Sequence, residues 1–527
     1  MKDIVKNTGQ HHVESTKNEV SGNKAATFEE AVTATKFGKF NVILILLTIP
    51  AGLCAPFDTA TMSFTFVAAQ CDLNLSLNHK GLLNAIVYAG MISSALIWGF
   101  LFDVLGRKKL LIIGFLVDSV FVFLSAFSQS LGLLIVCKYF QGFIVCGPMA
   151  VLYSYLSEFH STKYRSTCQL IIGMCNSFGI LLLPAIAWLI LPHKLDFSVH
   201  GYNFHSWNIF LLVSGLPAFA SGILYLFLPE SPKFLMACGR NEKALEVFRT
   251  VYSLNTGLPK DSYPITELID ETKLNLGNKH GGQVTANRTK IQALKEGFQQ
   301  IRPLFFPPHL VNVILSSSIM FFVVMGLNIL RLWLPQIFQT MTDYQLMNNN
   351  STASLCTMLE IITPSNSTST EKCVVNTDNS SIYINSMIVG SATLSAFFLA
   401  GTLIKMLGKK PMMVITASLA GGSCIGIYFS QYSYMVVIFS SIFQATSSLS
   451  SNLINSVTVD LFPTTQRTLA ISFGMMNGRV GAMLGNFVFP YLLASGCIPP
   501  FFTVAGIMFV AAFISLFVPR TDKLSLR

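Results

Sequence analysis

Charge is scarce in this chain. Only 11% of its 527 residues are Asp, Glu, Lys or Arg, against about 25% in an ordinary soluble domain, so a water-soluble globular surface is excluded. Cys-x-x-Cys pairs are absent, and no close Cys/His cluster suggests zinc. Most of the eleven cysteines sit in apolar runs, where they behave as small hydrophobes. A phosphate-binding loop is also missing. Gly401–Lys410, GTLIKMLGKK, has six residues between its glycines where that loop needs about four, and neither Ser nor Thr follows the lysine. This argues against a nucleotide-driven pump, and nothing else points to an enzyme, a cofactor or a metal. The first apolar run is far too long for a cleavable signal peptide, and none is expected.

What the chain does have is apolar length. It is 52% hydrophobic with 43 Phe residues, and runs of at least about 18 apolar residues, enough to cross a hydrocarbon core of about 30 Å, recur. Twelve membrane-spanning helices are expected, over 40–69, 81–102, 110–128, 131–157, 166–192, 207–228, 309–339, 382–406, 411–429, 433–459, 468–494 and 499–518. The net charge of +10 reads as topology rather than as a nucleic-acid surface. Arg107, Lys108, Lys109, Lys163, Arg165, Lys409, Lys410 and Arg467 fall in loops on one side, which the positive-inside rule makes cytoplasmic along with both termini.

The chain is written twice. At one offset of 302 residues, Gly99 falls on Gly401, Gly106 on Gly408, Arg107 on Lys409, Glu158 on Asp460 and Arg165 on Arg467. A repeat this long indicates a duplicated domain, not a solenoid. The expected organisation is a cytosolic tail (1–38), a six-helix half (39–228), a cytoplasmic linker with short helices (229–308), a second six-helix half (309–519) and a short tail (520–527). In the linker, Leu245, Phe248 and Tyr252 share one helical face. The loop 340–381 faces the outside or a lumen and carries glycosylation sequons at Asn349, Asn350, Asn366 and Asn379. Its only two cysteines, Cys356 and Cys373, are expected to pair in that oxidising compartment.

These features resemble the major facilitator superfamily. FDTATMS in the first span, the Glu158–Arg165 motif, PESPKFL after the sixth span and the Pro463–Arg467 motif resemble its sugar-porter and organic-ion branch. The segment FEEAVTATKFGKF, the glycosylated loop and RLWLPQIF resemble the synaptic vesicle glycoprotein 2 type transporter-like proteins. Asn208 after Trp207, in place of the sugar porters' Arg, and the C-terminal PRTD depart from the sugar-porter pattern and argue against a sugar as substrate. The resemblance implies a transporter of a small organic solute, with protons as the expected coupling ion, in the plasma membrane or a secretory or synaptic-type vesicle; a monomer is expected. A membrane glycoprotein acting in binding or trafficking is the alternative. It also implies that Gly99, Asp103, Gly106 and Arg107, Glu158 and Arg165, and their echoes Gly401, Gly408, Lys409, Asp460 and Arg467, form gating ion-pair networks.

Charges at membrane depth are costly and mark candidate function. Asp58 lies where sugar porters place a proton-coupling acid, and Lys138 stands where the family pattern pairs it with Arg. Burial favours the neutral carboxyl and the cation favours the charged one, so the pair suits proton exchange; a permanent ion pair is the other reading. Arg331 in the seventh span could grip a carboxylate or phosphate bidentately, with Asn328 and Trp333 adding a hydrogen bond or stacking. Arg479 in the eleventh span is a second anion-binding candidate. Alternatively, Arg331 sits in the headgroup layer, or Arg479 pairs with an acid such as Asp118, itself expected to be peripheral.

Overall fold

The computed structural model describes residues 25–193, 195–199, 202–269, 302–307, 309–348, 353–359, 380–462 and 464–519. A short α1 (Phe28–Ala34) leads into the first half, made of α2 (Lys39–Ala69), α3 (Leu77–Leu105), α4 (Arg107–Ala126), α5 (Leu131–Glu158), α6 (Thr162–Ile190), α7 (Ser206–Ser214) and α8 (Leu216–Leu226). A two-stranded hairpin, β1 (Phe197–Val199) and β2 (Tyr202–Phe204), precedes α7. Linker helices α9 (Pro232–Ala237) and α10 (Asn241–Thr256) follow. The second half comprises α11 (Leu310–Met347), the short α12 (Leu355–Leu359), α13 (Ser381–Leu407), α14 (Lys409–Tyr428), α15 (Ser433–Leu461), α16 (Thr464–Ala494) and α17 (Ile498–Ser515). The long helices make twelve membrane spans, with α7 and α8 forming one of them.

Two spans differ from the sequence reading. The expected single helix over 207–228 is broken at Gly215, because Pro217 has no N–H to continue the ladder. The seventh span runs on to Met347 instead of ending near 339. Its extension is held by packing, with Thr340, Met341 and Thr342 buried and Gln345 Nε2 donating to Ser433 Oγ at 2.9 Å.

The duplication reaches the backbone. Gly106 (φ 87°, ψ 160°) ends α3 and starts α4, and Gly408 (φ 83°, ψ 161°) does the same between α13 and α14. A side chain is strained in that region, so both copies require glycine. Small residues also set how closely the spans approach. A Cβ on Gly142 of α5 would lie 1.9 Å from the Val87 carbonyl oxygen of α3, whereas one on Gly132 would meet nothing within 4 Å. Backbone cannot give way cheaply. Gly142→Ala is therefore expected to lose the monodisperse size-exclusion peak of the solubilised protein, and Gly132→Ala to keep it; equal profiles would contradict tight α3–α5 packing. The GRVGAMLGN stretch serves the same purpose, with Gly481 against the Phe321 carbonyl and Gly485 against Ile329.

The linker folds onto the first half. Phe248 and Tyr252 of α10 join Phe28, Val32, Met236 and Tyr263 in a small core of their own, with Leu245 packed against it. Asn255 ties this unit to α2: its Nδ2 donates to the Lys36 carbonyl at 2.9 Å, and its Oδ1 accepts from Phe40 N at 2.9 Å.

The expected Cys356–Cys373 disulfide is corrected. Cys356 is bonded to Cys497, which joins α12 to the start of α17 and so ties the loop to the helical bundle instead of closing the loop on itself. Cys71 is also disulfide-bonded. Cys373, the four sequons and residues 270–301 of the linker lie outside the described residues.

Candidate functional site

Arg331 projects from α11 at the seam between the halves. Its Nη2 lies 2.7 Å from Asn328 Oδ1, one turn earlier, 3.2 Å from Thr59 Oγ1 of α2 and 3.1 Å from Tyr88 OH of α3. The Tyr88 hydroxyl donates to Asn328 Oδ1 at 2.7 Å. One guanidinium nitrogen is thus pinned by neutral groups, while Nε is buried with no hydrogen-bond partner. Among the described residues no carboxylate pairs with Arg331.

Arg331 borders a cavity of about 40 Å³ between the halves, with Phe64 from α2, Pro184 from α6, Gly390 from α13 and Gln444 from α15. A water needs roughly 10–15 Å³ of such space, so the cavity holds a few waters or a small polar group. Gln444 is buried and neither its Nε2 nor its Oε1 has a partner. Unsatisfied buried polar atoms are uncommon; Gln444 and Arg331 border the same cavity, and the guanidinium is a donor group suited to an anion.

Asn328 is therefore found where the sequence reading put it, beside Arg331. Arg479 is on α16, and its Nη1 donates to Cys146 Sγ of α5 at 3.0 Å, not to Asp118. Tyr88 lies within electrostatic reach of both guanidinium groups, so the two arginines approach the same seam. Trp333 differs. It is buried with its ring 5.1 Å from that of Phe489, packed within the second half and away from the cavity.

Asp58 and Lys138 are both buried, on α2 and α5. A third group joins them that the sequence reading took to be peripheral. Asp118 of α4 is fully buried, faces Asp58 and interacts electrostatically with Lys138. Neither Asp118 oxygen, nor Asp58 Oδ2, receives a hydrogen bond from another residue. Two carboxylates and one ammonium carry a net −1 that a single proton neutralises. The signal was present in the sequence, an acid in an apolar span, but only helix packing shows that it points inward. Asp58 is also the chain neighbour of Thr59, which contacts Arg331.

The basic loops organise the face that carries α1, α9 and α10. Arg107 Nε lies 3.5 Å from Glu158 Oε1, and its guanidinium sits 5.1 Å from the Phe234 ring centre. Glu158 accepts a hydrogen bond from Ser231 Oγ, and Glu230 Oε1 accepts from Lys108 N at 2.9 Å. PESPKFL thus closes on the Gly106 turn, a partnership that the sequence reading did not assign. In the second half Lys409 Nζ reaches Asp460 Oδ2 at 2.5 Å. Arg165 pairs with Glu29 of α1 at 2.8 Å, not with Glu158, and among the described residues Arg467 makes no ion pair. The side chains of Asp103 and Lys405, and the surroundings of Gly99, fall outside the described residues; Gly401 has open space around it.

Contacts between the halves run from mid-membrane to the opposite face. Lys80 Nζ of α3 donates to Gln336 Oε1 of α11 at 2.7 Å, and Trp188 Nε1 of α6 donates to Ser380 Oγ at 3.0 Å. Gly81 packs on Pro490 of α16. On the face of the basic loops, every ion pair among the described residues stays within one half or joins it to α1.

Twelve helices in two repeated halves, with a mostly apolar cavity bordered by Arg331 on the pseudo-symmetry seam, define a multi-pass membrane transporter of the major facilitator fold. The sugar (and other) transporter family model matches residues 44–342, and that of the major facilitator superfamily matches residues 374–527; the chain belongs to the sugar (and other) transporter family. Among its relatives is synaptic vesicle glycoprotein 2B of Rattus norvegicus, 24% identical over 95% of this chain and 86% of that one. Synaptic vesicle glycoprotein 2C of Mus musculus is 23% identical over 94% and 81%. In fold the chain is similar to the inward-open xylose transporter XylE from E. coli (TM-score 0.64, 16% identity, 92% of this chain and 99% of that one). It is likewise similar to a D-xylose–proton symporter structure (TM-score 0.63, 17% identity, 92% and 98%).

Proposed function

We propose that this protein is a secondary transporter that moves a small anionic or zwitterionic organic solute by alternating access, coupled to protons. The observation that carries the reading is Arg331, a cation with no carboxylate partner among the described residues, held at a cavity between the halves. In this family fold, the site between two repeats opens to either side as they rock. Contacts at mid-membrane and at the face opposite the basic loops correspond to a state shut on the outer side, if the basic face is cytoplasmic. Asp58, Asp118 and Lys138 would take up and release the proton, and Thr59 would transmit the change to Arg331. The Arg107–Glu158–Ser231 network and the Lys409–Asp460 pair would act as the cytoplasmic gate.

The test is uptake into proteoliposomes of labelled carboxylates, phosphate esters, amino acids and neutral sugars, with and without an imposed inward proton gradient. The expected result is accumulation of an acid or zwitterion that requires the gradient. Folded protein that moves none of them would favour the second reading, a vesicle membrane glycoprotein acting in binding or trafficking. That reading is supported by the synaptic vesicle relatives, and under it the 340–381 loop would be the interaction surface.

A further inference from the structure

A buried lysine joins the two halves on the side away from the basic loops. Lys80 lies on the first turn of α3 and is 4% exposed. Its Nζ donates at 2.9 Å to Gln70 Oε1, at the end of α2 in the same half, and at 2.7 Å across the seam to Gln336 Oε1 of α11. Among the described residues it makes no ion pair. The next residue shows how close the halves come. A Cβ on Gly81 would lie 2.4 Å from Pro490 Cγ and 2.9 Å from the Asn486 carbonyl oxygen of α16. Tyr88, which reaches Asn328 and Arg331, is eight residues further along α3, about 12 Å at about 1.5 Å per residue. Lys80 thus holds the seam on the side of Arg331 opposite the basic loops.

The type of partner matters. A buried ammonium is costly unless it is paired and hydrogen-bonded, and Lys80 has two amide oxygens for its three donors. Closing the seam strips water from it and opening returns that water, which offsets the bond to Gln336. A carboxylate at position 336 would instead form a buried ion pair, which is hard to separate because each partner is left as a lone charge.

We propose that Lys80 and Gln336 are the latch of this face, holding the halves together in the state described above, and that the neutral partner keeps the latch releasable in each cycle. Its role in a transport cycle rests on the alternating-access reading; the contact between the halves does not. Removing either partner alone leaves the other polar group buried when the face is shut, which disfavours the shut state. Replacing both by apolar groups of similar shape is nearly neutral. Single variants therefore open the face, and the double variant shuts it again, a coupling that an incidental contact lacks.

Opening is read without a substrate, from the distance between spin labels on the two halves of the full-length protein in nanodiscs. Gly132→Cys in α5 and Gln431→Cys before α15 put labels at exposed positions on this face. Cys238→Ser removes the exposed free cysteine; the other free cysteines among the described residues are buried. Lys80→Met and Gln336→Met are each expected to raise the ratio of longer- to shorter-distance populations at least tenfold. Lys80→Met with Gln336→Met should return it to within threefold of the parent. Gln336→Glu supplies an ion pair and should give no rise; it reads the latch even where an apolar variant loses the monodisperse peak. Single variants at the parent ratio, a double variant as open as the singles, or an open Gln336→Glu would overturn the latch. A protein that opens in the single variants, shuts in the double one and moves no solute would keep the latch and lose the transport reading. Solute uptake by a protein whose single variants stay shut would do the reverse.

Discussion

Arg331→Ala is expected to weaken the apparent affinity for a transported anion by about 100-fold, while the protein stays folded and inserted. A hydrogen bond to a charged group contributes about 1.5–3 kcal/mol, and each 1.4 kcal/mol is about tenfold. A two-pronged guanidinium–carboxylate contact thus reaches that range. Thr59, Tyr88 and Asn328 now hold one nitrogen, and that fixed geometry reduces the entropy lost on gripping a substrate. Arg331→Lys keeps the charge but not the planar fork, and should recover only part of the loss. The measurement is the concentration dependence of initial uptake in proteoliposomes. An unchanged half-saturation in Arg331→Ala would remove this residue from the binding site. Arg479→Ala should be milder, because Arg479 reaches Cys146 and does not border the cavity.

Asp58→Asn is expected to reduce proton-driven accumulation to simple equilibration, while counterflow exchange of solute continues. Replacing the carboxylate leaves a group of similar shape that cannot carry a proton through the cycle. The buried trio makes a second expectation possible. With Asp118 replaced by Asn, Asp58 keeps Lys138 as a charged neighbour with no second carboxylate against it, and an opposite charge favours the ionised form. Asp118→Asn should therefore move the pH at which gradient-driven uptake is half-maximal downward, and Asp58→Asn should abolish that dependence. Both are read from uptake against external pH at a fixed gradient. Loss of exchange as well as accumulation in Asp58→Asn would make Asp58 structural. An unchanged pH profile in Asp118→Asn would mean that Asp118 takes no part in the proton step.

The architecture was legible because membrane spans announce themselves by composition. A hydrocarbon core tolerates few charges and requires backbone hydrogen bonds to close within each segment, so twelve apolar runs become helices wherever they pack. The repeat was legible too, since Gly106 and Gly408 answer the same backbone demand. Where local chemistry opposed the pattern, boundaries moved: Pro217 broke one span, and packing against α15 carried another past its apolar stretch. The candidate site was legible by residue type and less so by partner. Asp58, Lys138, Arg331 and Arg479 stood out because charge is rare in such helices.

What the sequence by itself determined is the class of protein: the number of spans, the two halves, the basic loops and the charged positions inside the membrane. Each follows from local composition and spacing. Only the tertiary structure decided which way those side chains face. Helical period within a nearly uniform apolar span gives little sense of direction, so Asp118 looked peripheral and is buried beside Asp58, and Trp333 looked available and is packed on Phe489. The same holds for Cys356, whose partner Cys497 lies 141 residues away. Pairing and facing are properties of neighbours brought together by packing, and distance along the chain does not encode them.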